Sequence, residues 1–168
     1  KGIDRLIDIW LSVHNTHPDW VLDIYGQGML QDELQQKILA ANAGTYIHLK
    51  GSSPDIMYEY LNCSLLVLTS RYEGFPMALL EAMACGVPCV TYDCPFGPRS
   101  MITNMRNGIL VEEGDKKEMV DKINYLIENE KNRKKIGTNA RKYVLQYSQK
   151  NIMDKWNILF NNCLTLTS

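Results

Sequence analysis

The chain has 168 residues, 45% apolar and 22% charged, the composition of one globular domain with a sizeable core. A formal net charge of −1 gives no global electrostatic case for nucleic acid, and no apolar run of membrane-spanning length or signal-peptide pattern is present, so a cytoplasmic protein is expected. The five cysteines, Cys63, Cys85, Cys89, Cys94 and Cys163, predict reduced thiols; their spacing completes no zinc pattern with His14, His17 and His48, so no metal is expected.

Ile3, Leu6, Ile7, Trp10 and Leu11 fall at i, i+3, i+4, i+7 and i+8, which predicts an amphipathic helix from the start of the chain to about His17-Pro18, with no strand before it. Residues 20–25 (WVLDIY) predict a strand, followed by a Gly26-Gln27-Gly28 turn and a helix over about 29–41. Gly26 and Gly28 resemble the start of a dinucleotide fingerprint, but Gln31 stands where the third glycine belongs. A tight strand-to-helix turn and a backbone contact to a ligand are both open readings there. A strand over 46–49, a Gly51-Ser52-Ser53-Pro54 loop and a short helix to about Asn62 make a third unit.

Residues 65–68 (LLVL) then read as a strand buried on both faces. They lead into residues 73–86, EGFPMALLEAMACG, the most informative stretch of the chain. Pro76 suits the first helical position and Gly86 the position just past the helix end, which puts Glu73 in the loop and Glu81 on the helix. The helix is greasy on all sides and is expected to be buried. An ionised Glu81 there needs a protein donor or a cleft in which a ligand supplies hydroxyls. Eight residues of helix rise about 12 Å, longer than the roughly 5 to 9.5 Å between the paired carboxylates of glycosidases. With Glu73 folded back in a loop, a separation of roughly 10 Å suits instead the span from a nucleotide's ribose across its diphosphate to a sugar. Between the two acids, the free N–H groups around Gly74, Phe75, Met77 and Ala78 make an anion site with the helix dipole.

Beyond a strand at 87–91, the Asn107-Gly108 turn leads to a last short strand at 109–111. Asp115 caps a helix bearing Met119, Val120, Ile123, Leu126 and Ile127; a second helix carries Ile136, Ala140, Tyr143 and Val144; Ser148 caps a third with Ile152, Trp156, Leu159 and Phe160. The basic run 131–135 (KNRKK) reads as a solvated helix face, with a peripheral membrane contact as the alternative. Repeated βα units with short loops predict an α/β fold: a doubly wound, mostly parallel sheet with helices on both faces. Ligands bind at the carboxyl ends of the strands in such sheets, where the loops at Gly26, Gly51, 71–76 and 93–100 would meet.

The segment SRYEGFPMALLEAMACGVPCV, residues 70–90, resembles the E-x7-E motif of the retaining nucleotide-sugar glycosyltransferases of group 1 (family 4), and the resemblance covers nearly the whole chain. It implies that residues 1–168 are a single donor-binding domain, the Rossmann-like carboxyl-terminal half of a GT-B fold lacking its first strand, whose partner is an amino-terminal acceptor domain. By position, Glu73 would contact the donor sugar and Glu81 the ribose, with Gly74, Phe75, Pro76 and Met77 meeting the diphosphate and sugar. Gly51, Ser52 and Ser53 would bracket the nucleobase, with Gly26 beside them. Lys1-Gly2 looks like the second half of a family Arg and Lys-Gly pair that neutralises the diphosphate, so Lys1 joins Glu73 as a catalytic candidate. Residues 94–102 (CPFGPRSMI) resemble a Gly-Pro loop that commonly carries Glu where Ser100 stands; Arg99 is open as an electrostatic stand-in or a solvated loop residue.

The resemblance implies transfer of a hexosyl or N-acetylhexosaminyl group from a UDP- or GDP-sugar to a glycan or lipid-linked acceptor in polysaccharide biosynthesis, by front-face displacement without a metal or other cofactor, in the cytoplasm or at the inner membrane face. The isolated chain is expected to bind nucleotide weakly and to be inactive, with self-association through Trp156 and Phe160. A sugar-nucleotide epimerase or sugar-phosphate synthase of the same architecture, and a non-enzymatic interaction module, are the alternatives.

Overall fold

The computed structural model describes residues 1–165. Helix and strand alternate from the start: α1 (Ile3–Thr16), β1 (Leu22–Tyr25), α2 (Gln31–Ala40), β2 (Ile47–Gly51), α3 (Ile56–Asn62), β3 (Leu66–Leu68), α4 (Met77–Ala84), β4 (Cys89–Tyr92), α5 (Pro98–Met101) and β5 (Ile109–Val111). Three longer helices complete the chain, α6 (Lys116–Glu128), α7 (Glu130–Val144) and α8 (Gln149–Thr165).

All strand pairs, β1 with β2, β3 with β4 and β4 with β5, are parallel. Successive side chains of a strand point to opposite faces, and the core divides accordingly. Val67, Val90, Ile109 and Val111 join Leu6, Ile7, Trp10, Met119, Ile123 and Leu126 in the core that involves α1 and α6. Leu66, Leu68, Cys89 and Leu110 pack with Leu79, Ala82, Met83 and Ala140 of α4 and α7 in the other. Both faces are thus covered, as a parallel sheet requires.

The strands lie in two pieces, β1-β2 and β3-β4-β5. Between them lies a groove of about 770 Å³ lined by all of β1, all of β3, and Ile3, Leu6 and Trp10 of α1. In the doubly wound order 3-2-1-4-5-6, the five strands here take the places of the second to the sixth, and the groove takes the place of the first. The gap is therefore central. The buried indole N–H of Trp10, a residue of the groove wall, has no acceptor among the described residues.

Local chemistry explains the element ends. The Asp115 carboxylate accepts from the Glu118 N–H at 2.8 Å and caps α6. At the end of α4, Gly86 adopts φ 78°, its N–H bonds the Met83 carbonyl at 3.0 Å, and the Val87 N–H bonds that of Ala82 at 2.9 Å. This is a Schellman closure, and its left-handed residue is the expected Gly86. Ser148 Oγ accepts from the Asn151 N–H at 3.4 Å at the start of α8.

The basic run is only partly a solvated face. Arg133 turns inward, its Nη1 donating to the Leu126 and Ile127 carbonyls at 2.8 and 2.9 Å, with its guanidinium 5.3 Å from the Trp20 ring centre. It closes the carboxyl end of α6. Lys134 pairs with Glu130 at 2.5 Å. On α8, Met153, Trp156, Ile158, Leu159 and Phe160 are each about half exposed. All five cysteines are unpaired. Among the described residues, no helix is long and apolar enough to cross a membrane.

Candidate functional site

Glu73 follows β3 in a short loop and is only 6% exposed. A carboxylate so buried requires partners, and it has two: Lys1 Nζ donates to its Oε1 at 2.6 Å and Ser70 Oγ to the same oxygen at 2.5 Å. Burial pushes the Glu73 carboxyl up, but the bonds from Lys1 and Ser70 and the Lys1 charge outweigh it and hold the group below its usual 4.5. Lys1 reaches this position because the start of α1 is pinned to the end of β3. Thr69 Oγ1 donates to the Gly2 carbonyl at 2.8 Å, and Arg5 Nε donates to the Thr69 carbonyl at 2.8 Å. Gly2 has φ 75°, and a Cβ there would sit 2.1 Å from the Thr69 carbonyl oxygen, so no other residue fits.

Pro76 lies one residue earlier than expected. With φ −76° and ψ 85° it is the cap before α4 rather than its first helical residue, and its carbonyl accepts from the Leu79 and Leu80 N–H groups at 3.0 and 3.1 Å. Proline has no N–H to lose at either position. The amides of Met77 and Ala78 precede those first bonds and stand at the positive end of the helix dipole.

The expectation that α4 is buried on all sides fails. Leu79, Ala82 and Met83 are buried, whereas Met77 is 52% and the preceding Phe75 47% exposed. The helix lies on one face of the sheet and packs a single stripe against it. Glu81 is half-buried and has a protein donor, the Tyr60 hydroxyl, at 3.3 Å from Oε2. Burial and then the Glu81 charge raise the Tyr60 phenol above its ordinary value. Tyr60 and Ala78 both line the groove, which places this pair at its border.

The loop after β1 meets the last residue of β2. The Gly26 N–H donates to the Gly51 carbonyl at 2.7 Å, with positive φ of 128° at Gly26 and 70° at Gly51. The turn reading of Gly28 has its bond too, from the Gln31 N–H at 3.2 Å. Gly26, Ser52 and Ser53 line the same groove as Tyr60. Glu59, not anticipated, receives the Tyr25 hydroxyl at 2.7 Å and Ser53 Oγ at 3.2 Å, and burial followed by Glu59 pushes the Tyr25 phenol up to about 12.

The Gly-Pro loop presses on the Glu73 turn. A Cβ on Gly97 would lie 3.0 Å from Pro76 Cδ and 3.3 Å from Glu73 Cβ. Arg99 is exposed and paired with Asp93, which narrows the open reading: its charge is already met within its own loop. Ser100, at the position where the resemblance expects Glu, donates its Oγ to the Gly97 carbonyl at 2.6 Å and stiffens that loop.

The structure therefore gathers Lys1, Ser70, Glu73 and Gly97 at the end of β3. It gathers Gly26, Ser52, Ser53, Glu59 and Tyr60 along the groove, and α4 bridges the two groups through Glu81. Glu59 and Tyr60 were missed because Tyr25 and Glu81, which they bond, come from other elements, and Ser70 because the sequence does not say which way its hydroxyl turns. Only the polar type of Ser70, three residues before Glu73, could have hinted at its role.

The pattern that describes the family Glycosyl transferases group 1 matches residues 1–143. The poly(ribitol-phosphate) alpha-N-acetylglucosaminyltransferase of Staphylococcus aureus (strain COL) is 32% identical over 163 residues, covering 96% of this chain and 33% of that protein. The amylovoran biosynthesis glycosyltransferase AmsD of Erwinia amylovora is 32% identical over 161 residues, covering 96% of this chain and 45% of that one. The crystal structure of an S. aureus TarM mutant in complex with fondaparinux, alpha-GlcNAc-glycerol and UDP superposes with a TM-score of 0.91 at 33% identity, covering 96% of this chain and 33% of that chain. The chain thus spans less than half the length of these relatives, and its architecture is that of the carboxyl-terminal Rossmann-like domain of GT-B glycosyltransferases. The motif at Glu73 and Glu81, the parallel sheet beneath it and the match over residues 1–143 agree, and the chain belongs to the group 1 glycosyl transferases.

Proposed function

We propose that this chain is the donor-binding half of a retaining glycosyltransferase that moves a hexosyl or N-acetylhexosaminyl group from a UDP- or GDP-sugar to a glycan or lipid-linked acceptor, the acceptor being held by a further domain of a longer protein. The observation that carries the reading is Glu73, buried and ionised beside Lys1 at the foot of the α4 amino terminus. The UDP complex of the TarM mutant and the alpha-N-acetylglucosaminyltransferase relative support the donor class.

In this reading the diphosphate lies at the amides of Met77 and Ala78, where the helix dipole favours negative charge. Glu81 accepts from the ribose hydroxyls, with Tyr60 holding the carboxylate. Gly26, Gly51, Ser52 and Ser53 bracket the base, and Gly74, Phe75 and Pro76 face the sugar. Glu73 orients the sugar's hydroxyls and is not a nucleophile. As the bond from the anomeric carbon to the diphosphate breaks, the acceptor oxygen bonds that carbon on the same face, and its proton passes to the departing phosphate oxygen. Lys1, 68% exposed on its outer side, turns its ammonium to the leaving group and stabilises the developing charge without a metal.

Product analysis tests this. A protein carrying this chain together with its acceptor domain, supplied with UDP- and GDP-sugars, should release nucleoside diphosphate in step with a new glycoside of unchanged anomeric configuration. Conversion of the donor sugar to an isomer with no acceptor present would establish an epimerase instead.

A further inference from the structure

Two large aromatic side chains stand in solvent beside Glu73, and the core uses neither. Tyr72 is 65% and Phe96 74% exposed, with ring centres 6.0 Å apart in an edge-to-face arrangement. They come from different loops, after β3 and after β4, and each immediately precedes a residue of the Glu73 contact: Tyr72 precedes Glu73, and Phe96 precedes Gly97. Phe96 also has φ 59°, a left-handed conformation that is costly for a bulky side chain and that persists only where its surroundings impose it. Phe96 further lines an open hollow of about 610 Å³, together with Asp93, Arg99, Ser100 and Glu113.

We propose that Phe96 and Tyr72 form a stacking platform for a pyranose ring, with the polar groups of the hollow meeting its hydroxyls. The C–H face of a pyranose is apolar and weakly positive and matches the negative face of an aromatic ring. Its edge carries hydroxyls that need donors and acceptors, and the Asp93–Arg99 pair, Ser100 and Glu113 present both at the rim. The strain at Phe96 then has a use: it holds the ring out of the core. This subsite rests on the glycosyltransferase reading. The ring can be the donor's sugar or a sugar unit of the acceptor.

The test is a set of NMR titrations of the chain, following the ring protons of Phe96 and Tyr72, with UDP, UDP-glucose, UDP-N-acetylglucosamine, and methyl α-glucoside and methyl N-acetyl-α-glucosaminide added in the presence of UDP. Saturable ring shifts are expected with at least one sugar-bearing probe and not with UDP alone. Shifts with a UDP-sugar assign the ring to the donor, and shifts with a methyl glycoside assign it to the acceptor. Phe96→Ala should weaken the effective probe at least fivefold, and Phe96→Trp should restore it. Phe96→Gly, which relieves the left-handed backbone, should lose sugar binding while melting no lower than the parent; a purely structural role predicts a lower melting temperature. If UDP binds but no sugar moves either ring, the platform is wrong and the donor reading stands. If a glycoside binds but UDP does not, the platform stands and the donor reading falls.

Discussion

Glu73 shows how a single buried acid is kept charged. Its two donors come from different segments and meet the same oxygen, Ser70 from three residues away and Lys1 from the start of the chain. The resemblance pointed to Glu73 and Lys1 separately, and the sequence could not show that they touch, because the contact joins residues 72 positions apart. Gly97 was illegible for the same reason, since it meets Glu73 from another loop. The pairing has a pH consequence. A carboxyl held below its ordinary 4.5 when folded binds fewer protons in the native than in the unfolded state, so it stabilises the fold fully above 4.5. That contribution is lost as pH falls from 4.5 through the lower folded value. Thermal melts from pH 7 down to pH 3 should therefore show Glu73→Gln less stable than the parent at pH 7, by about 1 kcal/mol given the exposure of Lys1. The difference should shrink as pH falls below 4.5, and a gap that does not narrow at all by pH 3 would show that the loss is steric.

Among the elements, α4 is the part the sequence described best in its end and least well in its beginning. Gly86 announced the closure, because a left-handed residue after a helix is nearly always glycine. Pro76 did not reveal whether it was the cap or the first turn, since it costs no hydrogen bond in either. The apolar run hid that only one stripe of α4 packs, leaving Met77 exposed where the proposed ligand lies. The neighbour that fixes α4 comes from α7. A Cβ on Gly137 would stand 2.0 Å from the Gly86 carbonyl oxygen and 3.3 Å from Pro88 Cδ. Gly137→Ala should thus force α7 away from the end of α4 and cost about 1 to 3 kcal/mol despite the better helix propensity of alanine. Urea denaturation measures this, and a stability equal to or above the parent's would show that the two helices are not in fixed contact.

At the scale of the whole molecule, alternating strand and helix signals were enough to give the α/β class and the edge at which the loops gather. They could not reveal that the strands lie in two pieces, since residues 20–25 and 65–68 each read as strands whatever lies beside them. The groove between the two pieces, with the Trp10 indole, unpartnered among the described residues, in its wall, is what the three-dimensional arrangement adds. Ser53 bonds Glu59 and the next residue, Tyr60, bonds Glu81, so α3 joins the base-side loop to α4, and the proposed donor site depends on that bridge. Its most direct test is a calorimetric titration of the chain with UDP and with GDP, for the parent and for Glu81→Ala. The account predicts that one of the two nucleotides binds the parent, and that Glu81→Ala weakens that nucleotide at least tenfold, about 1.4 kcal/mol. An unchanged affinity in Glu81→Ala for the nucleotide that the parent prefers would contradict it.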